Sequence, residues 1–423
     1  MFLYIYLEII SGVIGFIIIA ILITYLLKHL VIHNTIKKSV AYSLLILFLI
    51  AVISGLLANK TYPPNFAMPL FMHSHTPDQL PASIPFNKII YFLINKNKFE
   101  KVDNISADAN LVPENDQKPD SDGIVRIHLT TKEVISEIAP GIYFNYWTYN
   151  GQVPGPMLRI KEGETIELSL TNDITSLHHH NIDLHAVTGP GGGATLTDVN
   201  PGETKTIRWK ALNPGLYIYH CAMPNVSTHN SHGQYGLILV DPKDPKLTFE
   251  KVDKEFYITQ GEFYTIGQTG KKGLVPFDSD ALLDGKPNYV VFNGKINNTP
   301  LLHAKVGDKI RIYIGNGGVN LISSFHIIGE IFDKVYPEGA IGENSSILKN
   351  VQTTAVLPGG SSIVELKLDV PGKYLIVDHA LARMNKGAWA ILEVSGPEQK
   401  DIFSGLDNKS NTETNMHNDM HME

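Results

Sequence analysis

Residues 214–221, PGLYIYHC, have a counterpart in residues 371–380, PGKYLIVDHA. Both segments begin with Pro-Gly, continue with apolar and aromatic residues and reach a histidine, which precedes Cys221 in the first copy and Ala380 in the second. Further pairs follow the same order: Asn150-Gly151 with Asn293-Gly294, Gly163-Glu164 with Gly307-Asp308, and Pro201-Gly202 with Pro358-Gly359. The chain therefore contains an internal repeat, of which only the first copy keeps a thiol.

The repeated part has the sequence pattern of β-strands joined by turns. From Gly123 onward, short runs such as residues 165–170 and 204–209 alternate in polarity and are separated by Gly, Pro, Asn and Asp. Alternation at period two, with turn signals every ~8–12 residues, is typical of β-sandwiches. We predict an all-β fold with one sandwich at residues 123–246 and a second at residues 247–398.

The N-terminal residues 1–60 resemble a membrane anchor. Residues 3–27 carry Glu8 as their only charge, and residues 39–58 carry none; each is about as long as the ~20 residues a transmembrane helix needs. The chain start lacks the positive charge of a signal peptide, although a signal followed by a core helix is the alternative. The loop between the two runs contains Lys28, Lys37 and Lys38. Positive-inside bias then predicts two transmembrane helices, with the following domains on the periplasmic side of the cell membrane.

Two further segments have weak patterns. Residues 61–122 are rich in proline and polar residues without sustained periodicity, which predicts a linker. Residues 399–423 end in alternating Met and His, which predicts a disordered tail. A copper-loading role for this tail is the alternative.

Composition narrows the chemistry. The 423 residues include 35 basic and 42 acidic side chains, 17 histidines and one cysteine. A formal charge of −7 gives no basic footprint for nucleic acid. A single cysteine excludes intrachain disulfides, iron–sulfur clusters and multi-thiolate zinc sites. Any metal chemistry must therefore depend on imidazole.

One set of residues fits a trigonal copper site. His229 follows Cys221 by eight residues and His180 lies far upstream, as two imidazoles and one thiolate require. Gln234 would be the weak axial ligand, with His232 and Met223 as alternatives. Taken alone, Cys221 could equally be a small buried apolar residue.

A second set points to another metal. Adjacent residues in a strand face opposite sides, so His220 cannot share the pocket of Cys221. His185 can face the same way as His220, and His379 occupies the matching place in the second repeat. Three imidazoles with an open fourth position make a catalytic centre. Asp183 and His326 would then be a proton-delivering pair, although either could be structural.

Several longer segments resemble the copper-containing nitrite reductases over residues 123–398. They are NGQVPGP at 150–156, HNIDLHAVTGPGGGA at 180–194, VNPGE at 199–203, YHC at 219–221, SSFHIIGEIFDKV at 323–335 and DHALARMNKGA at 378–388. The resemblance implies tandem cupredoxin-type Greek-key β-sandwiches and a homotrimer. It also implies dissimilatory-type, one-electron reduction of nitrite to nitric oxide and water.

The resemblance also assigns roles, with two copper ions per subunit. It implies a type 1 copper held by His180, Cys221 and His229, and a type 2 copper held by His185, His220 and His379 of the partner subunit. Asp183 and His326 match the family's catalytic residues, and Ile328 matches the apolar residue over the substrate. The electron would come from an external donor of the cupredoxin or cytochrome c type.

Gln234 departs from the family pattern, which has methionine as the axial ligand. An amide oxygen is a harder donor than a thioether and favours Cu(II), so we expect a lower type 1 potential and an altered colour.

Other functions are conceivable. A multicopper oxidase shares the domain type but needs several His-X-His pairs, which this chain lacks. A membrane-tethered cupredoxin electron carrier would need only the type 1 site, and would have no use for Asp183, His326 or His379. Copper storage or sensing through the Met/His tail is a third possibility.

Overall fold

In this computed structural model, the described residues are 99–114, 119–296 and 301–405, with scattered helical residues between positions 14 and 50. Within that part of the chain, no helix is both long and apolar enough to cross a bilayer. Most of the two expected membrane helices lies outside the described residues, as does the Met/His-rich end of the tail. The N-terminal part of the linker lies outside them as well.

The first half of the described chain forms two sheets. Its strands are β1 (Glu100–Lys101), β2 (Ile124–Ala139), β3 (Ile142–Tyr149), β4 (Leu158–Lys161), β5 (Thr165–Asn172), β6 (Asp183–Leu184), β7 (Thr204–Lys210), β8 (Gly215–His220) and β9 (Tyr235–Asp241). One sheet contains β3-β2-β5-β7, with β1 paired to β2, and the other has the order β4-β9-β8-β6. A 3-10 helix (Pro190–Leu196) and the short helix α1 (Val226–Asn230) interrupt the strands.

The second half repeats this architecture. Its strands are β10 (Lys254–Phe263), β11 (Gly273–Leu274), β12 (Tyr289–Phe292), β13 (Leu301–Lys305), β14 (Lys309–Asn316), β15 (Ser323–Ile327), β16 (Phe332–Pro337), β17 (Leu348–Val351), β18 (Thr353–Val356), β19 (Ser361–Lys367), β20 (Gly372–Asp378) and β21 (Trp389–Ser395). They form sheets of order β12-β10-β14-β19-β16-β17 and β13-β21-β20-β15-β18, while β11 pairs with β3. Helix α2 (Ser279–Leu283) and a 3-10 helix (Leu381–Lys386) complete the set. The all-β prediction is confirmed.

Each half has its own apolar core. In β5, Ile166, Leu168 and Leu170 alternate with more exposed polar residues and are fully buried. This is the period-two pattern of a strand with one face against the core. In β14, Ile310 and Ile312 belong to a separate buried cluster. The cores explain why the alternating segments fold into sheets.

The repeat in the sequence corresponds to a repeat in local geometry. Asn150 and Asn293 both adopt positive φ angles, of 55° and 47°. The side-chain oxygen of Asn150 accepts a hydrogen bond from the Thr130 amide at 2.7 Å, and that of Asn293 accepts one from the Thr259 amide at 2.8 Å. Asparagine tolerates the left-handed conformation and can bond the backbone locally. The same turn therefore closes equivalent places in both halves.

Residues 99–114 differ from the linker expected for this region. The Val153 amide donates to the Ile105 carbonyl at 2.8 Å, and the Tyr257 amide donates to the Ala109 carbonyl at 2.9 Å. Ile105, Ala107 and Ala109 are buried. The segment thus runs from the first half to the second as a packed strap, because its alternate apolar side chains are buried against the cores of the two halves.

Candidate metal centres

The first candidate centre is formed by His180, Cys221 and His229, whose donor atoms all lie within 4.8 Å of one another. His180 is fixed by mutual backbone hydrogen bonds with Val199. Cys221 follows β8 directly, and its amide donates to the Gln234 carbonyl at 3.1 Å. His229 lies on α1, where its Nδ1 is 3.3 Å from the Cys221 Sγ. Three separate elements therefore converge on one sulfur.

The chemistry of these donors fits a copper ion. Burial raises the pKa of the Cys221 thiol to about 12, so a thiolate at this place needs a cation beside it. Burial lowers the pKa of both His180 and His229, which keeps the imidazoles in the neutral form that binds metals. Neither ring nitrogen of His180 has a hydrogen-bond partner within the described part of the chain. A soft thiolate with two neutral imidazoles selects copper.

Gln234 lies beside this centre. The side chain is fully buried, and its Oε1 is 3.3 Å from the His229 Nδ1. The sequence alternative, His232, is occupied elsewhere, because its Nδ1 donates to the Thr228 carbonyl at 2.7 Å. Its ring also stacks on Trp147 at 4.2 Å. Gln234 therefore lies beside the donor group, whereas the His232 ring is held by other contacts.

The second candidate centre is formed by Asp183, His185 and His220. The Nε2 atoms of the two histidines are 3.0 Å apart, and the Asp183 Oδ2 is 4.0 Å from the His220 Nε2. The His220 Nδ1 lies 2.9 Å from the Cys221 carbonyl. A carbonyl can only accept, so Nδ1 carries the proton and the Nε2 lone pair is left for a metal. Burial and the neighbouring His220 lower the pKa of His185.

Gly192 sets the position of the Asp183 carboxylate. Gly192 has a positive φ of 55°, and a Cβ atom built on it would come 1.8 Å from the Asp183 Oδ1. Only glycine fits both the backbone conformation and the space. The glycine-rich loop therefore holds the carboxylate against the histidine pair.

The remaining predicted site residues, His326, His379 and Ile328, lie apart from both candidate centres. The rings of His326 and His379 are 5.2 Å apart, on β15 and directly after β20. The His326 Nδ1 lies 2.5 Å from the Gln352 carbonyl. Ile328, just beyond β15, is exposed. Within the described residues of one chain, neither His326 nor His379 joins the two candidate metal groups.

A cavity of about 400 Å³ adjoins the second centre. His185 and His220 line one part of it, and Asn316 and Gly359 line another. The cavity is thus formed by both halves of the chain and opens onto the histidine pair.

Three contributors were missed from the sequence: Glu133, Asn181 and Gly192. The Asn181 Oδ1 accepts a hydrogen bond from the Ala222 amide at 2.7 Å, and its backbone amide lies 3.5 Å from the Cys221 Sγ. Glu133 lies next to His178 and His180. Asn181 and Gly192 could have been recognised from the sequence, because both lie within the motif at 180–194. Glu133 lies outside every motif, so its neighbours in the sequence gave no indication of a role.

Comparison with known proteins gives the family. A family described as multicopper oxidase matches residues 134–245. The copper-containing nitrite reductase of Neisseria gonorrhoeae is 51% identical over 284 residues, which are 66% of this chain and 71% of that relative. The copper-containing nitrite reductase of Rhizobium meliloti is 32% identical over 310 residues, 68% of this chain and 81% of that relative.

Comparison with solved structures gives the same family. The copper nitrite reductase of Nitrosomonas europaea superimposes with a TM-score of 0.58 at 33% identity, covering 65% of this chain and 95% of that one. The matched fold is the cupredoxin-like arrangement that the family resemblance implied. Since a thiol–imidazole group and a second histidine group meet at one strand of this fold, and the identity to the Neisseria relative reaches 51%, the chain belongs to the copper-containing nitrite reductases.

Proposed function

We propose that this enzyme reduces nitrite by one electron at a type 2 site and draws that electron from a type 1 site. The type 1 site comprises His180, Cys221, His229 and Gln234. The type 2 site comprises His185, His220 and His379 of the partner subunit, giving two copper ions per subunit. The observation that supports this most strongly is that adjacent residues, His220 and Cys221, belong to different donor groups.

Copper, when bound, supplies the one-electron redox chemistry and Lewis acidity that the side chains lack. The chain supplies the connection between the two sites. His220 and Cys221 share a peptide bond, and the His220 Nδ1–H donates to the Cys221 carbonyl at 2.9 Å. A covalent path and a hydrogen-bonded path therefore join the two donor groups.

Asp183 and His326 are proposed to supply the protons. Nitrite, one electron and two protons give nitric oxide and water, so two proton donors balance the reaction. The Asp183 carboxylate lies beside the histidine pair, where Gly192 holds it. His326 accompanies His379 at a ring distance of 5.2 Å. A subunit contact that placed His379 at the type 2 site would also place His326 there, because the two rings lie together. The exposed Ile328, just beyond β15, would then be the apolar cover over the substrate.

A homotrimer is proposed because the two groups of residues that would complete this site lie apart within one chain. Asp183, His185 and His220 form one half, and His326 with His379 forms the other. A head-to-tail contact joins unlike surfaces and closes into a ring when the rotation between subunits permits it; a ring of three is what the resemblance to the nitrite reductases implies. In such a ring, each contact would unite one half from each subunit.

The first prediction concerns His379. His379→Ala should lower nitric oxide evolution from nitrite, with a reduced artificial donor, by roughly 100-fold or more, because one of three type 2 ligands is lost. The type 1 absorption should persist. The exposed His303, beside Glu393 at 3.6 Å, provides the control, and His303→Ala should keep full activity.

Mixed oligomers test where His379 acts. Chains with His379→Ala co-assembled with equal amounts of His185→Ala chains should recover about a quarter of the activity, since one ordered contact in four would carry both intact halves. No recovery, with mixed assembly verified, would show that the ligands come from one chain.

The second prediction concerns Gln234, which we propose as the axial ligand. Gln234→Met should raise the type 1 potential, measured by redox titration of the thiolate–copper absorption, because a thioether stabilises Cu(II) less than an amide oxygen. His232→Phe retains the ring stack on Trp147 and should leave the potential unchanged. A wild-type potential equal to or above that of Gln234→Met would refute this assignment.

We also propose that residues 3–27 and 39–58 anchor the enzyme in the cell membrane, with the sandwiches on the periplasmic side. An external cupredoxin or c-type cytochrome would then deliver the electron. The support is the length of two nearly uncharged runs and the lysines between them.

The third prediction tests this anchor. The full-length chain should stay in the membrane fraction after an alkaline carbonate wash, and protease added to intact spheroplasts should digest its sandwiches. Release by the wash, or protection from the protease, would contradict the proposed arrangement.

A further inference from the structure

Glu133 is a buried carboxylate that the proposed function does not use. It lies on β2 and is fully buried. Its Oε1 accepts hydrogen bonds from the amides of Leu177 and His178, both at 2.8 Å. Its Oε2 is buried without a hydrogen-bond partner within the described residues. Two backbone donors hold this carboxylate in place beside the histidines.

Within the described residues, Glu133 pairs with two histidines and with no lysine or arginine. Within the described part of the chain, its ion-pair contacts are the His178 Nδ1 at 3.0 Å and the His180 Nε2 at 3.4 Å. A buried carboxylate is costly unless both of its oxygens are satisfied, and the Glu133 Oε2 lacks a partner within the described residues. A cation bound on the far side of the His180 ring would compensate the charge of Glu133.

The orientation of His180 places such a cation. Its Nε2 faces Glu133, and its two ring nitrogens lack hydrogen-bond partners in the described structure. A small rotation of the ring would turn the 3.4 Å separation into a hydrogen bond. Nδ1 then remains for the group that contains Cys221. Histidines that bind metals commonly donate their other ring N–H to a carboxylate.

We propose that Glu133 is a positioning residue of the type 1 site: it accepts the Nε2–H of His180, fixes Nδ1 as the ligating atom and lowers the copper potential through its charge. This inference rests on the proposed function, because it needs copper at His180, Cys221 and His229. Glu133 itself does not contact the reacting atoms.

The surroundings strengthen the effect of this charge. Trp147 lies between the histidines, with ring distances of 4.4 Å to His178, 4.5 Å to His229 and 5.6 Å to His180. An aromatic, water-poor surrounding screens charges weakly. Cu(II) with one thiolate carries a net positive charge, whereas Cu(I) with one thiolate is neutral. A nearby carboxylate therefore stabilises the oxidised state, in the same direction as Gln234.

The test is Glu133→Gln in the full-length enzyme, which keeps the shape of the side chain and an acceptor for both amides. The matched control is Glu137→Gln, about 13 Å along the same strand, where Glu137 instead accepts from the Gly141 amide. Each protein is prepared without copper and titrated with Cu(II) alone. The readouts are Cu(II) affinity by chelator competition, the type 1 potential, and urea unfolding with and without copper.

We expect Glu133→Gln to bind Cu(II) ~10–100-fold more weakly at the type 1 site and to have a higher potential. Without copper it should unfold at a urea concentration close to that of wild type, because the glutamine oxygen can still accept from both backbone amides. Glu137→Gln should match wild type in affinity and potential.

Two outcomes overturn the role of Glu133. One is a Glu133→Gln enzyme with wild-type affinity and potential. The other is a variant that unfolds more easily without copper, or does not fold, since the carboxylate would then stabilise the chain itself. If wild-type protein develops no thiolate–copper absorption on titration, the proposed type 1 site fails instead, and the two failures are thereby distinguished.

Discussion

Everything in the proposed chemistry depends on the alternation of side chains at the end of β8. His220 and Cys221 are neighbours, yet His220 groups with Asp183 and His185, and Cys221 groups with buried donors. An extended backbone sends successive side chains to opposite faces, so one short peptide serves two centres. The β6–β8 pairing sets Asp183 opposite His220.

The two centres need different surroundings, and the sandwich provides both. Cys221 and His229 lie in the interior, where burial keeps imidazoles neutral and a thiolate requires a cation. His185 and His220 line a cavity of about 400 Å³. Electron storage benefits from a rigid, dry site, whereas catalysis needs an open coordination position.

The sequence predicted those features that local spacing encodes. The donors near Cys221 were found because a strand end and the following loop bring close neighbours together, and the sandwiches because alternation and turns repeat. Glu133 was missed because its contact with His178 spans 45 positions and a glutamate on a strand normally faces water. The strap at residues 99–114 was missed because small residues such as Ala107 carry little periodic signal. Both depend on tertiary packing.

Electron paramagnetic resonance of the fully copper-loaded enzyme tests the central claim most directly. The account predicts two cupric signals in equal amounts, one with the narrow hyperfine splitting of thiolate-bound copper. Cys221→Ser should abolish that signal alone, and His220→Ala should abolish the other alone. A single cupric species, or one signal that both substitutions remove, would contradict the assignment of adjacent residues to separate copper ions.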